Sequence, residues 1–174
     1  MTPANPVVKD LVIPLERFPH LYEHQTLHDA VEVLNSYTCG GDDRLGFADL
    51  LVLNDKNQLS GRVRLADMLL SLDPRLKEAS KVGAFEGKGS EIADLIILWE
   101  DSFFVECKKW SQIHIKDTMS PIRKTVKGSD PVLKALAIML STKDGVLPVI
   151  DEGRVIGVIR MKEIFKAITA TCKI

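Results

Sequence analysis

Two short stretches carry the residue types best suited to chemistry. Gly61-Arg62-Val63-Arg64-Leu65-Ala66-Asp67 and Gly157-Val158-Ile159-Arg160-Met161-Lys162-Glu163 each set an arginine three residues after a glycine and an acid six residues after it. Each leads into an apolar run with helix-forming residues, so arginine and acid fall at a helix start. A guanidinium can clamp an oxyanion such as phosphate with two parallel hydrogen bonds. The competing expectation is that Arg64 and Arg160 pair with nearby acids or face solvent.

Other chemical candidates are weaker. His20, His24 and His28 are spaced by four, as metal ligands on one helix would be. The local patterns put His20 in a strand, His24 in a turn and His28 in a helix, which argues against one shared face. His114 is isolated and reads as a boundary residue. Asp42 and Asp43 follow Gly40-Gly41 and suit a turn, with Cys39 in the same loop and no base identifiable beside it. Lys108, Lys109, Arg123, Lys124 and Lys127 form a loose basic cluster that reads as a solvated face. No Gly-x-Ser-x-Gly, phosphate-loop or Gly-x-Gly-x-x-Gly motif occurs, so an enzyme is not expected.

The elements that must position the second stretch can be read from Ile115 onward. After Ile115 to Pro121 comes an extended piece, Arg123 to Lys127. Ser129 or Asp130 suits a helix N-cap, with Pro131 at the first helical position before Val132, Leu133, Leu136, Ile138, Met139 and Leu140. Leu147 to Asp151 and Val155 to Arg160, joined at Glu152-Gly153, predict a hairpin. A helix from Met161 to about Ile168 closes the unit. The order is strand, helix, strand, strand, helix.

The same order occurs earlier. Val8 to Pro14 echoes Ile115 to Pro121. Thr26 caps a helix carrying Leu27, Ala30, Val31, Val33 and Leu34, with Asp29 completing a capping box. Leu50 to Asn54 echoes Leu147 to Asp151, and Gly61 to Asp67 echoes Gly157 to Glu163. Leu65 to Leu72 then forms a helix that Pro74 ends. The first copy is longer, with most of the excess around Ser36 to Phe47, and it lacks a Gly-x-x-Pro before its hairpin. Between the copies, Lys77 to Gly89 reads as a loop. From Ser90, Ile92, Leu95, Ile96, Trp99, Phe103, Cys107 and Trp110 fall on one helical stripe, with Ile97 and Phe104 off it. The expected organisation is a first repeat over 7–72, a linker with helical insert over 73–114 and a second repeat over 115–174.

Composition narrows the classes. A net charge of −1 supplies no global field for nucleic acid or an anionic membrane. Cys39, Cys107 and Cys172 lack Cys-x-x-Cys spacing and read as free thiols of a reducing, cytoplasmic setting. Neither a leader-like N-terminus nor an apolar run long enough to span a bilayer is apparent.

The second repeat resembles a cystathionine-β-synthase (CBS) domain. The marks are Asp117-x-Met119-x-Pro121, Gly145-x-x-Pro148-Val149, the acidic turn and the tail from Gly157. Arg160 and Glu163 stand where that family's tail has Ser/Thr and Asp. The resemblance implies an α+β fold of two tandem repeats packed pseudo-symmetrically, a Bateman module, with clefts for an adenosyl ligand such as AMP, ADP, ATP or S-adenosylmethionine. Carried over, Ile122, Val146, Pro148, Arg160 and Glu163 would line the second cleft, the one expected to bind better. Leu51, Arg64 and Asp67 would line the first. In each, the arginine would face phosphate and the acid ribose. The resemblance further implies a homodimer and regulation of a separate protein partner. The alternative is a dimeric scaffold with no physiological nucleotide.

Overall fold

A computed structural model describes residues 5–37, 45–82 and 100–172. Cys39, Asp42, Asp43, Ile92, Leu95, Ile96, Ile97 and Trp99 fall outside those ranges. The strands are β1 (Ile13–Pro14), β2 (His20–Tyr22), β3 (Asp49–Leu53), β4 (Leu59–Arg64), β5 (Val126–Lys127), β6 (Val146–Asp151) and β7 (Arg154–Arg160). The helices are α1 (Leu27–Ser36), α2 (Leu65–Leu72), α3 (Pro74–Val82), α4 (Glu100–Trp110), α5 (Ile115–Thr118), α6 (Val132–Thr142) and α7 (Met161–Cys172). Two sheets result, ordered β2-β3-β4 and β1-β7-β6-β5.

Local chemistry accounts for most boundaries. Thr26 and Asp29 form the expected capping box: the Asp29 carboxylate accepts from the Thr26 N–H at 2.7 Å, and the Thr26 hydroxyl oxygen accepts from the Asp29 N–H at 3.3 Å. The β6–β7 hairpin turns at Glu152 (φ 47°) and Gly153 (φ 77°), the double positive φ that matches the strands' twist.

Three expectations need correction. Pro131 is the N-cap of α6, not its first residue; its ψ of 141° is extended, and the helix begins at Val132. Asp130 instead accepts from the Lys127 N–H at 2.9 Å and from Lys134 Nζ at 2.8 Å. Pro74 ends α2 but also starts α3. Buried Asp73 accepts from the Arg75 N–H at 2.8 Å, so residues 77–82 are helical rather than loop. The extended piece expected over 123–127 makes ladder pairs only at Val126 and Lys127.

The units exchange their opening segments. β1, from the first copy, pairs antiparallel with β7 of the second, Ile13 opposite Val158 and Pro14 opposite Gly157. In return, Ser120 bridges to Arg62 on β4, with N–H to C=O bonds of 2.8 and 3.0 Å. The cores show the same reciprocity. Val8 is fully buried among Val132, Met139, Leu147 and Ile164 of the second unit. Its counterpart Ile115 is fully buried among Leu21, Leu34, Leu50 and Met68 of the first. A third cluster of Phe18, Leu51, Leu53, Val155 and Val158 joins the two sheets.

The glycines of the two tails permit this crossing. A Cβ on Gly157 would lie 2.1 Å from the Ile13 carbonyl oxygen, and one on Gly61 would lie 2.9 Å from that of Ser120. Neither backbone can move without breaking strand pairing. By contrast, nothing lies within 4 Å of a Cβ on Gly145. Gly157→Ala is therefore expected to destabilise by about 3 kcal/mol. Gly145→Ala should stay within about 0.5 kcal/mol. Urea unfolding midpoints of the two variants check the contrast.

Candidate functional site

Each tail ends as the sequence pattern requires, at the start of a helix. Arg64 is the N-cap of α2, and Arg160 immediately precedes α7. Both arginines pair with the acid three residues on. Arg64 Nε donates to Asp67 Oδ2 at 3.1 Å, and the Arg64 backbone N–H donates to the same oxygen at 3.0 Å. That side-chain bond strengthens the hold of Arg64 on its proton. Arg160 binds Glu163 in two-pronged fashion, Nε to Oε2 at 2.8 Å and the terminal nitrogen to Oε1 at 2.5 Å. The Arg160 guanidinium also lies 5.3 Å from the centre of the Phe47 ring.

The remaining expected residues divide between the tails and the central core. Val146 is opposite Arg160 in the β6–β7 ladder and packs with Ile122 against the central cluster. Pro148 is buried two residues further along β6. Leu51 is 2% exposed within the central cluster itself, opposite Arg62.

An open cleft of about 450 Å³ lies over the first tail. Arg62, Arg64, Ser120, Pro121, Arg123, Ser141, Thr142 and Asp144 line it. Three elements build it. β4 supplies Arg62 and Arg64, the crossing segment supplies Ser120 to Arg123, and the end of α6 supplies Ser141, Thr142 and Asp144. Sequence reasoning singled out only Arg64 of these for a ligand and assigned Arg123 to a solvated face. Arg62, Ser141, Thr142 and Asp144 carry no local signal, because they meet only through the packing of one unit on the other.

The lining of the cleft holds three guanidinium groups and the carboxylate of Asp144, and Arg64 is also paired with Asp67. Arg62 donates to Asp144 Oδ1, with the two side chains 16% and 22% exposed. At the cleft's edge Asp49 sits opposite Arg64 in the β3–β4 ladder. Burial pushes its carboxyl above the ordinary range, against the pull of Arg62 and Arg64. Hydroxyls, guanidinium groups and a largely polar wall suit a multiply charged oxyanion such as phosphate. Among the described residues no group of three His, Cys, Asp or Glu side chains could hold a metal ion, and no helix is long and apolar enough to cross a membrane.

Comparison with known proteins bears on this architecture. Residues 115–170 match the family model of the CBS domain. No curated protein sequence matches the chain. Among solved structures, the CBS-pair protein CBSX2 from Arabidopsis thaliana superposes with a TM-score of 0.66 at 19% identity, covering 98% of this chain and 99% of that one. CBSX2 in complex with AMP gives a TM-score of 0.62 at 22% identity, covering 95% and 98%. The cytosolic domain of the Mg2+ channel MgtE in complex with ATP gives 0.59 at 16% identity, covering 90% of this chain and 46% of that one. The α+β fold with two repeats is thus that of CBS-pair structures.

The Arg160–Glu163 pair generates a pH test. Burial pushes the Glu163 carboxyl up, but the hydrogen bonds and charge of Arg160 outweigh it and leave it below its ordinary value of 4.5. A depressed carboxylate adds stability that is present above the ordinary value and lost as pH falls through the folded-state value. Glu163→Gln should therefore cost about 1 kcal/mol at neutral pH. The difference from wild type should narrow as pH falls from neutral through and below the ordinary carboxylate range. Chemical denaturation across that range reads both.

Proposed function

Taking residues 115–170 as a CBS domain within a chain whose described residues fold as CBS pairs do, we propose that this protein is a regulatory module that senses an adenosyl ligand. The observation that carries this reading is the arginine-lined cleft over β4. Its volume lies in the roughly 300–1,000 Å³ range of small-molecule sites. The phosphate end of an AMP-, ADP- or ATP-like ligand meets Arg64 and Arg123, with Ser120, Ser141 and Thr142 as hydroxyl partners. The AMP complex of CBSX2 and the ATP complex of MgtE support a nucleotide as the ligand class. S-adenosylmethionine, whose sulfonium is cationic, suits three arginines poorly. Where the sequence alone favours the second cleft, this geometry favours the first.

Both units contribute to the cleft wall, so a bound ligand reports on their arrangement. It shifts that arrangement only to the extent that it binds one state better than another. The module then acts on a separate protein partner. Self-association follows from apolar residues left on the helices: Leu133 and Leu140 on α6, Phe165 on α7, Leu69 on α2 and Phe104 on α4, all more than half exposed. The alternative, a dimeric scaffold without nucleotide, draws its support from the pairing of Arg64 and Arg160 with their own acids.

A thermal-shift panel of AMP, ADP, ATP, NAD and S-adenosylmethionine separates the two. A ligand at a hundred times its dissociation constant should stabilise by about 2.7 kcal/mol. Arg64→Ala should weaken AMP by roughly tenfold and adenosine much less. A flat panel at millimolar concentration favours the scaffold. Light scattering should give about twice 19.3 kDa, and Phe165→Glu or Phe104→Glu should lower that mass if its helix forms the interface; a monomeric wild type removes the dimer.

A further inference from the structure

Arg62 holds a position unlike the other arginines of the cleft. Arg64 pairs with Asp67 inside its own unit. Arg62, on β4 of the first unit, pairs with Asp144, which follows α6 of the second. Both partners are held by backbone. Arg62 is fixed by its two bonds to Ser120. Asp144 is placed by the end of α6, where Lys143 adopts the left-handed conformation (φ 57°) and the Asp144 N–H donates to the Met139 carbonyl at 3.1 Å. The carboxylate thus occupies, from inside the protein, a guanidinium that lines the anion cleft.

We propose that Asp144 is a built-in competitor for Arg62, and that an anionic ligand exchanges the Arg62–Asp144 pair between the units for an Arg62–phosphate contact. This rests on the cleft being the ligand site and names how occupancy is transmitted. Binding opens one ion pair between the units, so ligand affinity and unit arrangement are coupled reciprocally. The pair is mostly shielded from water, so its opening is felt more than that of an exposed pair. Oxyanion chemistry alone is required of the ligand, so an inorganic polyphosphate acts as ATP does.

The test is a double-mutant cycle read by calorimetric titration of ATP and, separately, of inorganic tripolyphosphate. Asp144→Asn should tighten both by about tenfold. In an Arg62→Gln background the same substitution should change neither. Equal affinity in wild type and Asp144→Asn overturns the competition while leaving the nucleotide reading intact. Tightening that persists without Arg62 also overturns it, because Asp144 then acts only as a nearby charge. If tripolyphosphate binds and obeys the cycle but ATP binds no better, the competition stands and the adenosyl reading falls. Binding of neither overturns both. Should Asp144→Asn fail to fold, carboxyl carbon NMR of wild type decides: the Asp144 signal should move on saturation with tripolyphosphate, and an unmoved signal rejects the exchange.

Discussion

Everything in this fold depends on two close backbone approaches, Ile13 over Gly157 and Ser120 over Gly61. They let each repeat send its opening segment across the other. Once there, Val8 and Ile115 are fully buried in the other unit's core. Each unit's core thus includes a residue from the other's opening segment. The sheet-to-sheet cluster of Phe18, Leu51, Leu53, Val155 and Val158 adds a second connection. The consequence is a pair of repeats joined by both hydrogen bonding and burial, not by surface contact alone.

That constraint also makes the cleft. The crossing that seats Ile115 carries Ser120 to Arg123 past β4, where they meet Arg62 and Arg64. The end of α6 closes the third side. A cleft assembled this way changes shape whenever the units move relative to each other. Its charge is equally composite: guanidinium groups from β4 and the crossing segment, and a carboxylate from beyond α6. The second tail is different in character. Arg160 is held by Glu163 and lies over the ring of Phe47, which comes from the first unit.

The sequence made the repeat, its hairpins and the capping box readable because each has a local signature. Thr26 and Asp29 sit three apart, and Glu152-Gly153 supplies the two positive φ values that its hairpin needs. The echo between Val8 and Ile115 was visible too, but not its meaning. Nothing local tells a short segment that it will pair with the other copy's sheet. Leu51 was expected at a cleft, and the pairing of β3 between β2 and β4 instead buries it in the central cluster. The start of α3 was missed because Pro74 both stops one helix and begins the next, with Asp73 as the cap. Arg62, Ser141, Thr142 and Asp144 were missed for a different reason: they are far apart in the chain and adjacent only after the units pack.

The proposal that most needs testing is a phosphorylated adenosyl ligand in the cleft over β4. Amide chemical-shift mapping with AMP tests it directly, because it reports where a ligand sits without assuming a residue's role. The largest shifts should cluster at Arg62, Arg64, Ser120, Arg123 and Thr142. Shifts centred on Arg160 and Glu163, or none at saturating AMP, would contradict it.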